Sequence, residues 1–286
     1  MRGIRAVVSA IVVMALASCG QSGEPAQADD PGIGHIHGLG VDPADGAVYL
    51  AGHYGLFKVT SAHTAERVAG RVQDHMGFTV VGPKTFLASG HPGEADTDSP
   101  PNLGLIRTTD AGETWETVSE LGISDFHALQ PAGATLYAYD SQTSRVRASV
   151  DGGATWRQGA PEEVIDFAAN AAQPERVYAA TTSGVQVSGN GGMDFEPVKD
   201  APPLGQIEAP AADLLIGSDV DGQVHMSVDA GKTWRTSGRL PAPPVAFTAV
   251  DRQRLLAATE DGTVYESRNG GTDFTVVFRP ASVDVS

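Results

Sequence analysis

"TTDAGETW" (108–115), "SVDGGATW" (149–156), "SGNGGMDF" (188–195), "SVDAGKTW" (227–234) and "SRNGGTDF" (267–274) are five copies of one signal, Ser/Thr-x-Asp/Asn-x-Gly-x-x-aromatic. The copies start about 40 residues apart, the period of a repeat architecture built from one supersecondary unit. Each residue type has a physical reason to be where it is. The Asp or Asn side chain caps backbone N–H groups of a hairpin turn, Gly supplies a positive φ, and the aromatic covers the crevice between sheets.

The same order of elements surrounds each copy, most legibly in "VIDFAANAAQPERVYAATTSGVQVSGNGGMDFEPV" (164–198). An inner strand, a turn, "RVYAATT", a short turn, "GVQVS", the motif and an outer strand make one four-stranded blade. In this phase six units begin near His35, Gln73, Ser124, Val164, Gly205 and Pro244; the first carries "SAHTAER" where the motif should stand. The expectation is an all-β chain, a six-bladed β-propeller of four-stranded antiparallel blades over residues 34–286. The motif aromatics Trp115, Trp156, Phe195, Trp234 and Phe274 are expected to be buried between blades.

The motif resembles the Asp-box of sialidase-like, BNR-repeat and sortilin-type propellers, and the resemblance covers most of residues 35–279. The chain is similar in this to exported bacterial proteins of the glycosyl-hydrolase-like BNR group. That resemblance implies a propeller and raises glycoside hydrolysis as an activity. A sialidase-like site needs clustered arginines and a tyrosine nucleophile. Arg107, Arg145, Arg147 and Arg268 fall on third strands or in a motif, and Tyr54 is the one tyrosine in the loops concerned. Sialidase activity is therefore not expected. A general glycosidase needs two carboxylates across the channel, and Asp125, Asp166, Glu208, Asp140, Asp219 and Glu260 supply them as an alternative acid/base set.

Histidines give a different signal. Aligned inner strands place His35-Ile36-His37, Asp74-His75-Met76, Asp125-Phe126-His127, Ile165-Asp166-Phe167, Gln206-Ile207-Glu208 and Val245-Ala246-Phe247 at equivalent points. The loops between second and third strands add His53, His91, Asp140, Thr182, Asp219 with Asp221, and Glu260 with Asp261. Six of the eight histidines thus map to one end of the channel; His63 and His225 are the exceptions. Side chains at i and i+2 of a strand share a side about 7 Å apart, so His35 and His37 are expected as a bidentate pair. With His75, His127, His53, His91 and Met76 they form a ligand set for copper or zinc. An insertion at 91–104, with Glu94, Asp96 and Asp98, is a third element of this face and a contact surface for an envelope protein or a glycan.

The chain's ends speak to location. Arg2 and Arg5 precede an apolar run from Ala6 to Ala17 that leads into Leu16-Ala17-Ser18-Cys19 at its end, similar to a bacterial lipobox. The expectation is a signal peptide at 1–18, lipidation of Cys19, and a flexible tether at 19–33. The protein would then sit at the outer face of the cell membrane, held there through the Cys19 lipid, as a monomer. Cys19 is the only cysteine, so no disulfide is expected in the mature chain. A net charge of −16 and a pI near 4.7 argue against nucleic acid as a partner. The reading is thus a lipid-anchored metal binder, with a glycoside hydrolase or an envelope assembly platform as alternatives. Cys19→Ser is expected to move the protein from the membrane to the soluble fraction, and unchanged fractionation would show another anchor.

Overall fold

The computed structural model describes residues 30–280. Cys19, the signal peptide and most of the tether lie outside them. From Gly32 onward the chain forms six four-stranded antiparallel blades, each made of four consecutive strands. Blade one is β1 (Ile36–Val41), β2 (Val48–Gly52), β3 (Gly55–Ser61) and β4 (Thr64–Arg67). Blade two is β5 (Asp74–Gly82), β6 (Thr85–His91), β7 (Leu105–Thr108) and β8 (Glu116–Ser119). Blade three is β9 (Phe126–Ala132), β10 (Thr135–Asp140), β11 (Arg145–Ser149) and β12 (Arg157–Gln158). Blade four is β13 (Val164–Asn170), β14 (Gln173–Thr181), β15 (Gly184–Ser188) and β16 (Glu196–Pro197). Blade five is β17 (Leu204–Ala211), β18 (Leu214–Asp219), β19 (Gln223–Ser227) and β20 (Arg235–Arg239). Blade six is β21 (Pro244–Ala249), β22 (Leu255–Thr259), β23 (Val264–Ser267) and β24 (Thr275–Phe278).

Six apolar clusters fill the six interfaces between neighbouring blades. One of them closes the ring, packing Ile36, Leu39, Leu50 and Phe57 of blade one on Leu256, Val264 and Phe278 of blade six. Each fully buried Leu, Ile or Phe contributes about 1.5–3 kcal/mol relative to exposure, so this non-directional term can hold the ring without a shared sheet. The motif aromatics are half-buried rather than buried, each packed against the edge of the apolar cluster shared with the preceding blade. Blade one has no motif, and at that junction the Arg279 N–H donates to the Ala62 carbonyl at 2.9 Å while His63 Nδ1 lies 3.3 Å from the Arg279 carbonyl.

The five turns share one hydrogen-bond plan. In the first, the Thr108 hydroxyl donates to Asp110 Oδ1 (2.7 Å) and accepts the Gly112 N–H (2.9 Å), while the Thr114 N–H and hydroxyl donate to the two oxygens of Asp110. Where Asn replaces Asp, the partner four residues on changes from Thr to Asp: Asn190 Nδ2 donates to Asp194 and Asn269 Nδ2 to Asp273. A carboxylate needs a donor there and an amide needs an acceptor. Gly112 and Gly153 are required twice over, by φ values of 94° and 91° and because a Cβ would strike Leu56 and Leu105 of the preceding blade.

Every inner strand is bulged at its entry end. The pairing with the second strand skips one residue: His37, Met76, His127, Ile165, Gly205 and Val245 in blades one to six. The residue just before each bulge is Ile36, His75, Phe126, Val164, Leu204 or Pro244. His75 thus occupies a slot that five blades fill with apolar side chains. It is 1% exposed, lies on Trp115 with ring centroids 5.3 Å apart, and has no hydrogen-bond partner for Nδ1 among the described residues.

Burial lowers the His75 pKa to about 4. The folded protein therefore keeps it neutral, while the unfolded chain takes up a proton below about pH 6.5; stability is complete above that pH and falls as pH drops toward 4. His75→Phe is expected to stabilise the metal-free protein by about 2 kcal/mol at pH 5 relative to wild type, a rise of roughly 4–8 °C in Tm, with a smaller gain at pH 7. Thermal melts of both proteins with chelator at the two pH values check this; a Tm difference that does not widen on acidification contradicts it.

Candidate metal centre

The bulges fix what faces the rim of the central channel. A bulge adds one residue and re-aims its side chain. In blades one to three these residues are His37, Met76 and His127; in blades four to six they are Ile165, Gly205 and Val245. Two residues earlier stand His35, Asp74 and Asp125, then Glu163, Pro203 and Pro243. The residue following the partner of each pre-bulge residue, at the end of the second strand or just after it, adds His53, His91 and Ser141, then Thr182, Val220 and Glu260. Polar and ligating side chains thus fill one half of the rim, and mostly apolar ones, including Ile165 (47% exposed) and Val220 (70%), the other.

On the polar half three side chains converge. His37 Nε2 lies 2.9 Å from His53 Nδ1 and 3.8 Å from Asp74 Oδ1, and His53 Nδ1 lies 3.3 Å from that same oxygen. One ligand atom from each falls within 4.8 Å of the others. Metal–nitrogen bonds of about 2.0–2.1 Å in a tetrahedron put donors about 3.3 Å apart, and the three separations bracket this value. Asp74 Oδ1 is buried and accepts no hydrogen bond among the described residues. An acceptor facing two imidazole nitrogens, with no donor of its own, suits a cation. Burial, working against the attraction of Asp74 and together with the neighbouring histidines, lowers the His37 pKa to about 4, so the ring is neutral at ordinary pH, and its Nε2 shares a hydrogen bond with His53 Nδ1.

The remaining predicted ligands surround this triad or leave it. His91 Nδ1 lies 3.3 Å from Asp74 Oδ2, on the side away from the triad, and its Nε2 lies 3.6 Å from Asp125 Oδ2. His127 Nε2 is 2.7 Å from Asp125 Oδ2, which also accepts from Ser141 at 2.8 Å. Met76 lines the channel. His35 is not one of the three converging side chains: its ring meets His37 edge-on with centroids 4.8 Å apart, and its Nδ1 lies 3.5 Å from Glu260 Oε1. His75 is withdrawn into the interface between blades, as above. Asp74 is the member of this triad that the sequence does not mark as a candidate ligand, although it shares its strand position with His35 and Asp125.

The carboxylates sort as clearly. The Asp140 carboxyl is buried under Arg147 Nη1 (3.0 Å), with donors from Ser124 and Thr143. Asp219 caps its own turn through the Asp221 and Gln223 N–H groups and holds His225 Nε2 at 3.0 Å. Burial opposes the charge on Asp125, but hydrogen bonds from His127 and Ser141 outweigh it and the pKa falls below the ordinary value. Glu260 stands in solvent at the rim, 77% exposed.

Asp166 and Glu208 are not rim residues. The sequence alignment holds in blades one to three but runs two residues late in blades four and six and three late in blade five, so both acids lie deeper. They line the same channel as His37, a cavity of about 640 Å3 with no Lys or Arg among its described lining residues. Burial pushes Asp166 up to about 7 despite N–H donors from Ile207 and Phe167, and burial with the charge of Asp166 raises Glu208 well above the carboxylate range.

No protein-family model matches the chain, and no curated protein matches it by sequence. Solved structures share its fold. YCF48 bound to D1 peptide superposes with a TM-score of 0.54 at 15% identity, over 86% of this chain and 83% of that one. A chain of the nidogen/laminin complex gives 0.62 at 11% identity, over 82% and 93%. The GH74 xyloglucanase from Xanthomonas campestris gives 0.55 at 19% identity over 86% of this chain, which spans 45% of the enzyme. What is shared at these identities is the propeller.

Proposed function

We propose that this protein is an exported, lipid-anchored β-propeller that binds a transition-metal ion, copper or zinc, through His37 Nε2, His53 Nδ1 and Asp74 Oδ1. The observation that carries the reading is the convergence of these three atoms within 4.8 Å, on a rim where the Asp74 oxygen has no hydrogen-bond partner among the described residues. Two imidazoles and a carboxylate suit zinc, copper(II) or nickel better than hard cations. Three protein donors leave coordination positions open toward the channel mouth, as in sites that pass on or act through their metal. Outer-shell support is in place, since Asp74 Oδ2 meets His91 and fixes the carboxylate.

His37→Ala and His53→Ala are each expected to weaken zinc or copper binding more than about 100-fold, beyond the roughly 10–100-fold that outer-shell partners are worth. His225→Ala, tied to Asp219 on a third strand, should bind as wild type does. Competition titration against a chromophoric chelator measures this, and equal affinity in the His37 and His53 variants would falsify the site.

A second reading has one observation of its own. Asp166 and Glu208 share the channel with pKa values raised in the direction a general acid requires, and a xyloglucanase is among the structural neighbours. Under this reading a panel of β-glucans shows turnover that Asp166→Asn and Glu208→Gln each reduce at least about 100-fold. Inactivity of the wild type on the whole panel counts against it.

A further inference from the structure

Asp74 and His91 stand opposite each other in the register of β5 and β6. Directly opposed side chains on neighbouring antiparallel strands lie within reach of one another, and here the reach is used: His91 Nδ1 lies 3.3 Å from Asp74 Oδ2. An ionised carboxylate only accepts, so Nδ1 carries the hydrogen and donates it. Blade three closes the far side of the ring. His91 Nε2 lies 3.6 Å from Asp125 Oδ2, and Asp125 is itself held, 4% exposed and in contact with His127 Nε2 at 2.7 Å and the Ser141 hydroxyl at 2.8 Å. The imidazole of His91 is thus set between carboxylates of two successive blades.

The two oxygens of Asp74 therefore have different surroundings. Oδ2 accepts from His91, while Oδ1 is buried, accepts no hydrogen bond among the described residues, and lies 3.8 Å from His37 Nε2 and 3.3 Å from His53 Nδ1. We infer that His91 determines which metal the site selects, by holding Asp74 Oδ2 away from the ion so that Asp74 binds through Oδ1 alone. This inference rests on the metal-binding reading above and deepens it to the selectivity of that site. His91 is a positioning residue: it acts on the ion through Asp74 and through no atom of its own.

The number of oxygens that Asp74 offers decides the kind of ion that fits. A carboxylate free to turn can give both oxygens to one cation, as it often does to hard ions whose shells are filled by oxygen, manganese and calcium among them. One carboxylate oxygen with two imidazole nitrogens makes three donors of a four-coordinate shell and leaves the fourth position open, the arrangement of zinc in its open sites. Outer-shell partners usually stand behind a ligating histidine, and ligating carboxylates are hydrogen-bonded in turn. In this rim the carboxylate ligand has the histidine behind it, and a second carboxylate, Asp125, lies behind the histidine. His91 is 39% exposed, so its replacement leaves the apolar interfaces between blades intact.

The full purified chain, stripped with chelator, is titrated with zinc and with manganese by competition, and with cobalt(II) by visible absorption. Wild type is expected to prefer zinc to manganese and to give the intense visible bands of four-coordinate cobalt. His91→Ala is expected to weaken zinc binding about 10–100-fold, to narrow the preference for zinc over manganese, and to replace the cobalt bands with the weak ones of a higher coordination number. His91→Asn keeps an N–H donor near the place of Nδ1 and is expected to bring back the four-coordinate spectrum. A His91→Ala protein whose cobalt spectrum and zinc-to-manganese ratio match wild type overturns the role of His91 and leaves the site standing. A His91→Asn protein that behaves as His91→Ala does overturns the hydrogen bond to Oδ2 as the cause. A wild type that binds neither zinc nor cobalt overturns the site itself.

Discussion

One extra residue in each inner strand, placed opposite the turn into the third strand, governs the whole functional face. Without it, alternation along β1 would put His37 in register with β2 and send every later side chain of the strand to the other side. With it, the residue before the bulge enters the interface between blades and the bulged residue turns to the rim. Five blades place an apolar side chain at the first position, and three place His or Met at the second. The bulge thereby lets one short segment, "HIH" in blade one, serve core and site together.

The electrostatics of the rim follow from that partition. His37 is buried enough to stay neutral and near enough to Asp74 to share a cation with it. Asp74 and Asp125 alternate with His53, His91 and His127 around half the circumference, joined by contacts of 2.7 to 3.6 Å. The other half offers Ile165, Val220, Val245, Pro203 and Pro243, with Glu163, Thr182 and Glu260 among them. A ligand carried on the metal would meet apolar surface across the mouth and the raised carboxyls of Asp166 and Glu208 farther down the same channel.

The fold was legible because its signal is local. Ser/Thr, Asp/Asn and Gly within five residues satisfy one another's hydrogen bonds in every copy, and the interval between copies equals one blade. The face was legible for the same reason, since turns after second strands are read directly from the blade pattern. Register was not. The bulge leaves no residue signature, being His, Met, Ile, Gly or Val in different blades, so the alignment slipped in blades four to six and brought Asp166 and Glu208 to the rim. His75 was misplaced because an imidazole in an apolar slot looks in sequence like an imidazole at a ligand position. Asp74 carries no residue-type signal beside His75, and only its equivalence to His35 and Asp125 marks it in the sequence.

The central claim is that three atoms from two blades share one ion at the channel mouth. An anomalous-scattering map from crystals of the zinc-loaded chain, recorded at the zinc absorption edge, tests it most directly. The account predicts a peak about 2.0–2.2 Å from His37 Nε2, His53 Nδ1 and Asp74 Oδ1. A map whose strongest peak lies at His63 or His225, or that shows none at the rim, would contradict it.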